Sequence, residues 1–334
     1  MAVGIKDVAR VAGVSPATVS RVLSGRAVDP AMCDRVQAAV KSTGYRPNLA
    51  ARRLRSQHNN TIGLIVADIR NPFFTAVSRT IERLAAARGM RVILCNTDED
   101  PAQEAAYLEL MQQERVTGII LAPSRDRVAR AGGLSLDCPV VLIDRPMPDA
   151  HADCVLLDNV AMADDLVAHL YARGHRRIAG LFGASSGTGI ERRVGFEAAA
   201  GRLGLVAEAI AVPHSAGEAE RAVVDLLSRP DRPHAIVASN GVMLMSILRA
   251  LRSLNLQVPG DVALAGFDNN DWMELVGDGL TVIEQPVEEI GRTAMTMLLD
   301  RLDHPDGAVR RVVLTGRLVA RGSSACSRSV LAGA

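Results

Sequence analysis

The sequence contains no C-x-x-C pair, and its five cysteines, Cys33, Cys95, Cys138, Cys154 and Cys326, are odd in number and widely spaced. That pattern argues against a disulfide framework or a zinc site and leaves buried thiols in a reducing compartment. No apolar run reaches the roughly 18 residues needed to cross a bilayer. The amino terminus also lacks the apolar stretch of a secretory signal, so a cytoplasmic protein with no membrane partner is expected. Aromatic residues are scarce, at 3%, while apolar residues reach 48%, which fits an ordinary α/β globule. No grouping of side chains calls for a metal, a cofactor or catalysis. At 334 residues there is room for about two or three domains.

Acidic residues are almost missing from the head of the chain. The first 60 residues hold ten lysines and arginines against Asp7, Asp29 and Asp34, a net of +7, so the remaining 274 carry −6. A basic head on a mildly acidic body suggests a polyanionic partner. Composition alone leaves a solvated basic face as the alternative.

Residues 5–25, IKDVARVAGVSPATVSRVLSG, hold two helical patterns separated only by Gly13-Val14-Ser15. Ile5, Val8, Ala12, Val14, Val19 and Val22 can close a small core if the chain turns sharply at Gly13, which accepts φ > 0. Ser15 suits the N-cap, Pro16 the first helical position and Thr18 the third. Two helices joined by so short a turn form a helix-turn-helix, with a generic helical corner as the alternative. The second helix can then enter a major groove. On its outer face Arg21 can present a fork to guanine and Ala17 can touch a thymine methyl, while Thr18, Ser20 and the helix N-terminus suit phosphates. A third helix begins at Asp29-Pro30 and stops before Gly44. In YRPNLAARRLRS, Asn48 can cap a short helix carrying Leu54 among Arg52, Arg53 and Arg55, too short to stand alone.

The opening motif, GYRPN at 44–48 and the leucine-bearing basic segment resemble the lactose-repressor (LacI/GalR) family of transcription regulators. The resemblance implies a hinge helix ordered on DNA, with Leu54 as a wedge between minor-groove base pairs and Arg55 beside it. It also sets Tyr45 and Asn48 of GYRPN, with Ser15 and Pro16, among the DNA-binding residues. Without the resemblance the segment reads as a charged linker.

From residue 61 short strands alternate with helices. TIGLIVADI, RVILCNT, GIILAP, PVVLIDR and CVLLDN form one run, and RRIAGLFG, AIAVP, AIVASN, VALAGFDN and TVIEQP a second, with RRVVLTGRLVAR closing the chain. Two such runs make two lobes of parallel sheet wound on both faces, with ligands bound beyond the carboxyl ends of the strands. Polar residues recur there. Asn71, Phe73 and Phe74 follow the first strand, Asp144 and Arg145 end the fourth, Arg192 opens a helix, and Asn240, Asp268 and Gln285 end strands or a crossover. Amides, carboxylates and a guanidinium can pair with vicinal hydroxyls, and phenyl rings can pack on a sugar face.

The resemblance extends over nearly the whole chain. It implies a two-lobed effector domain of the periplasmic sugar-binding fold. NPFF, IDR, ERRVGF, SN, GFD and EQP stand where ribose-type members hold their sugar, at the nine residues just named. SNG replaces the usual Asn-Asp, and no phenylalanine lies near 214–217, departures that leave the pocket class better supported than any one sugar. A pentose or phosphate-free hexose derivative is the first expectation; purine-binding relatives carry different residues at several of these positions, which puts a purine second. The implied domains are 1–46 (helix-turn-helix DNA-binding domain), 47–59 (hinge helix) and 60–334 (two-lobed effector-binding and dimerisation domain). The expected partners are a near-palindromic operator, a sugar effector and a second copy in a homodimer. The tail after Arg321 has no leucine heptads for a coiled-coil tetramer.

Two rivals are weaker. GASSGTG (183–189) follows a strand and opens a helix, as in the nucleotide loop of short-chain dehydrogenases. Those enzymes also need Tyr-x-x-x-Lys, and none of Tyr45, Tyr107 and Tyr171 has lysine four residues on. A transport receptor would need a signal peptide and no DNA-binding head. Trp272 is expected to pack rather than to border the ligand. Replacing Arg21 by alanine is expected to cost about 1–3 kcal/mol on the cognate operator and to relax preference at one base pair per half-site. Selection from randomised DNA checks this, and an unchanged preference removes Arg21 from base reading.

Overall fold

Helices α1 (Ile5–Ala12), α2 (Pro16–Leu23) and α3 (Pro30–Thr43) build the N-terminal unit, Met1–Asn59. The computed structural model describes residues 3–23, 27–45, 59–124, 136–147, 152–184, 186–213 and 217–326. The expected hinge helix, with Asn48, Leu54 and Arg55, lies outside the described residues apart from Asn59. Gly13 adopts φ 64°, which lets the Val14 amide donate back to the Ala9 carbonyl at 3.0 Å and turns the chain from α1 into α2. The Ser15 hydroxyl accepts from the Thr18 amide at 3.1 Å and bonds the Thr18 hydroxyl at 2.9 Å. Val8, Ala9, Ala12, Val19, Val36 and Ala39 are buried together, and Ile5, Val14, Val22 and Tyr45 pack around them. Ser15, Pro16, Ala17 and Arg21 stay exposed, with Thr18 and Ser20 partly so.

The second unit, Asn60–Ala334, is a pair of sheets. Its strands begin with β1 (Thr61–Val66), β2 (Arg91–Asn96), β3 (Gly118–Leu121), β4 (Val140–Ile143) and β5 (Asp153–Leu157). They continue with β6 (Arg177–Gly183), β7 (Val206–Val212), β8 (Ala235–Ala238), β9 (Ala263–Phe267) and β10 (Thr281–Glu284). Last come β11 (Arg311–Leu314) and β12 (Arg317–Val319). The first lobe is ordered β2-β1-β3-β4-β5-β11 and the second β7-β6-β8-β9-β10-β12. Pairing is parallel except for β10 with β12. Strands covered on both faces must be apolar throughout, and β1, β3, β5, β8 and β9 are buried along their whole lengths.

The lobes interleave more than the two-run sequence pattern suggests. RRVVLTGRLVAR is not one element: β11 joins the first sheet and β12 the second. The helix Val287–Asp303, which follows the second run, returns to the first lobe and buries Ile290, Ala294, Met295 and Leu298 against Phe73, Phe74 and Val77. The chain therefore crosses between lobes after β5, after β10 and after β11. Among the described residues no helix is long and apolar enough to cross a membrane.

Asp153 fastens the returning segment. It is 1% exposed and accepts from Arg301 Nη2 (2.7 Å), Arg310 Nη2 (2.8 Å) and the Arg310 amide (2.8 Å). Burial works against its charge, but the bonds from Arg310 and Arg301 outweigh it and hold its carboxyl below the usual range. A carboxylate depressed in the folded state adds stability above its unfolded pKa of about 3.9, and this is lost as pH falls through the lower folded value. Asp153→Asn should therefore cost about 2 kcal/mol or more at pH 7 and much less in acid. Urea unfolding of both proteins across that range tests this, and an equal loss at both ends would refute it.

Candidate ligand-binding cleft

Parallel strands send their carboxyl ends to one edge, and in each lobe that edge faces a common cleft of about 410 Å³. Asn71, Phe73, Phe74, Asp144, Arg145, Arg192, Asn240 and Gln285 all line it, brought together from five separate stretches of the sequence. Asp268 alone of the expected set is not on the wall but behind it.

Two asparagines have their orientation set by helix capping. Asn71 Oδ1 accepts from the Phe73 amide at 3.1 Å, and Asn240 Oδ1 from the Met243 amide at 2.8 Å. With the oxygens committed, each amide NH2 is the group left for a ligand. Asp268 does the same for Gln285. Its Oδ1 accepts from Gln285 Nε2 at 2.6 Å and its Oδ2 from the Gly241 amide at 2.8 Å, so Gln285 keeps its oxygen as a free acceptor. Phe73 and Phe74 meet edge to face at 5.0 Å between centroids and are rooted in the core of the first lobe.

The two arginines differ sharply. Arg145 is 4% exposed and is gripped by Glu99 through Nη1 (2.8 Å) and Nη2 (2.9 Å), and by Asp144 through Nε (3.0 Å). Burial opposes its charge, yet the Asp144 and Glu99 carboxylates raise its pKa above the ordinary arginine value. Most of its donors are therefore occupied. Arg192, equally buried, forms no ion pair among the described residues. Its Nε donates to Asn159 Oδ1 at 2.8 Å and its Nη1 to the Ser239 carbonyl, and the guanidinium lies 4.1 Å above the Phe267 ring centroid. Desolvation pushes its pKa down, only partly offset by Asp268, Asp144 and Glu191 at a distance. Arg192 is thus a cation short of negative partners, with its Nη2 donors left for a ligand.

Sequence reasoning missed Glu99 and Asn159. Glu99 follows Asp98 in a turn where both take left-handed backbone, φ 61° and 49°, and its partner Arg145 is 46 residues away. Only the oddity of TDED before Pro101 hinted at it. The GASSGTG loop serves the cleft wall: Ser186 caps the helix Gly187–Arg202 by accepting from the Gly189 amide at 3.2 Å, and Gly183, Ser186 and Thr188 line the cavity. Trp272 packs against the core of the second lobe, away from the cleft wall.

Comparison with known proteins agrees with this architecture. Residues 4–48 match the family described as bacterial regulatory proteins, lacI family, and residues 167–324 match the periplasmic binding protein-like domain. The HTH-type transcriptional regulator PtxS of Pseudomonas putida is 36% identical over 327 residues, 96% of each chain. The ribose operon repressor of Escherichia coli is 35% identical over 335 residues, 96% of this chain and 99% of that one. A solved periplasmic binding protein/LacI transcriptional regulator from Alkaliphilus metalliredigens, complexed with D-xylulofuranose, is similar at a TM-score of 0.69 and 27% identity, covering 79% of this chain and 98% of that one.

The paired Arg145 supplies a stability test. Glu99→Ala leaves a buried guanidinium with Asp144 alone and should cost about 3 kcal/mol. Adding Arg145→Met should recover part of that loss, because the stranded charge is then gone. Chemical denaturation of both variants decides it, and simple additivity would show that the pair is not coupled.

Proposed function

The chain belongs to the lacI family of bacterial regulatory proteins, as a DNA-binding transcriptional regulator and not an enzyme, and we propose that a small sugar of ribose type governs its hold on operator DNA. The effector is a pentose or phosphate-free hexose derivative seated in the cleft. The observation that carries this reading is the set of pre-oriented polar groups there: amide donors from Asn71 and Asn240, an acceptor from Gln285, and the unpaired donors of Arg192. Such a set matches hydroxyls, which both donate and accept, and the phenyl rings of Phe73 and Phe74 in the wall can pack on the apolar face of a sugar ring. The pentose-type ligand of the Alkaliphilus metalliredigens protein supports the size class.

In the head, the exposed face of α2 bearing Ser15, Pro16, Ala17, Thr18, Ser20 and Arg21 reads the major groove, in a homodimer whose two heads match a near-palindromic operator. Tyr45, packed on the head's core, and Asn48, Leu54 and Arg55 complete the DNA contact, with Leu54 as the minor-groove wedge. Effector binding changes how the lobes sit and thereby whether the heads engage DNA together, a coupling typically of about 1–3 kcal/mol that acts equally on both affinities.

Arg192→Ala and Asp268→Ala should each weaken effector binding about tenfold or more, since a bond from a charged group is lost and its neighbours are left unpaired. Both should still bind DNA retained from a randomised pool, and release it only at higher effector concentration. Calorimetry with D-ribose, other pentoses and a purine base tests the reading. If only the purine binds the wild-type protein, the sugar assignment fails.

A further inference from the structure

Arg192 owes its position to a residue that no sequence motif marks. Asn159 is 2% exposed and spends both ends of its side-chain amide. Its Oδ1 accepts from Arg192 Nε at 2.8 Å, and its Nδ2 donates to Glu191 Oε2 at 2.7 Å. The amide thus stands between a carboxylate and a guanidinium that make no direct ion pair among the described residues. Its dipole runs from one to the other, so each charge sees the complementary end of it. The contact is set by close packing. The helix Asn159–Ala172 lies so near the helix Gly187–Arg202 that a side chain at Gly195 would strike the Val160 carbonyl.

Asn159 also sits at a mechanically sensitive place. It is the second residue after β5, where the chain passes from the first lobe to the second. The preceding residue, Asp158, is tied to another crossover, its amide donating to the Leu314 carbonyl at 2.9 Å, and its carboxylate caps the helix through the Ala161 amide at 3.0 Å. The guanidinium facing the cleft is therefore one hydrogen bond from the segment that joins the lobes.

We propose that Asn159 is the positioning residue for Arg192: it orients the guanidinium toward the effector and links it to the interlobe crossover. The effector arm of this inference rests on the sugar reading above; the positioning arm stands on the hydrogen bonds alone. Other contacts of Arg192 do not substitute, because the Ser239 carbonyl holds only Nη1 and the Phe267 ring, 4.1 Å from the guanidinium carbon, offers no directional acceptor to Nε.

The test uses 15N-labelled full-length protein, with the Arg192 Nε–H resonance identified by its loss in Arg192→Lys. In the wild type this proton should exchange slowly with solvent. Asn159→Ala should speed its exchange about tenfold or more. Asn159→Asp combined with Glu191→Gln reverses the donor and acceptor between those two residues while keeping an acceptor for Nε, and should restore slow exchange. With D-ribose in a calorimeter, Asn159→Ala should bind about tenfold more weakly. In an Arg192→Ala background the same change should cost nothing further, as expected for residues acting as one unit. Unchanged exchange in Asn159→Ala overturns the proposal whatever D-ribose does. Additive losses in the double variant would also overturn it, by showing that Asn159 acts apart from Arg192. Absence of D-ribose binding by the wild type counts against the ribose reading instead, and the exchange measurement then decides the role of Asn159 alone.

Discussion

Parallel pairing is the constraint from which the rest follows. A parallel strand cannot turn straight back, so each needs a helical crossover, and every carboxyl end falls on the same edge of its sheet. With two such sheets facing each other across a cleft, residues as distant in sequence as Asn71 and Gln285 share one cavity. The helices that begin at this edge turn their N-terminal amides toward it, and Asn71, Ser186 and Asn240 are recruited as caps. Capping thus takes the oxygen end of both asparagine side chains and leaves each amide NH2 uncommitted.

Charge is distributed unevenly within the cavity. On the side of the first lobe a buried arginine faces two carboxylates; on the other a buried arginine faces none at ion-pair distance. The first arrangement is self-contained and suited to stiffening a wall. The second is incomplete until something polar arrives, because a desolvated cation keeps unspent donors. That contrast holds between two residues of the same type and equal burial.

Much of this was legible in the sequence because it depends on local chemistry. Buried parallel strands must be apolar runs, so β1, β3 and β9 stand out; Asn, Asp and Ser are favoured N-caps, so helix starts such as those at Asn71, Asp100 and Asn240 do too. The residues after β1, β4, β8 and β10, with Arg192 in the helix after β6, gave eight members of the cleft wall. The missing information is long-range. Nothing near Asp268 shows that its carboxylate is spent on Gln285 and the Gly241 amide. Nothing near Asn159 distinguishes it from an ordinary first residue of a helix, since its partners lie 32 and 33 residues on. The periodicity of RRVVLTGRLVAR likewise cannot say that its halves belong to different sheets, because a two-residue break is all that separates them.

The return of the chain to the first lobe has a consequence for biosynthesis. The edge strand β11 and the helix Val287–Asp303 are made after every strand of the second lobe except β12, and Asp153 waits for Arg301 and Arg310. On the ribosome, where domains form from the N-terminus as they emerge, the head is free to fold early while the first lobe stays open along one flank. The second lobe can gather most of its strands before the first is sealed. A chain cut short between β5 and residue 311 therefore carries a finished DNA-binding head on a body in which β5, which β11 would cover, is still a bare edge.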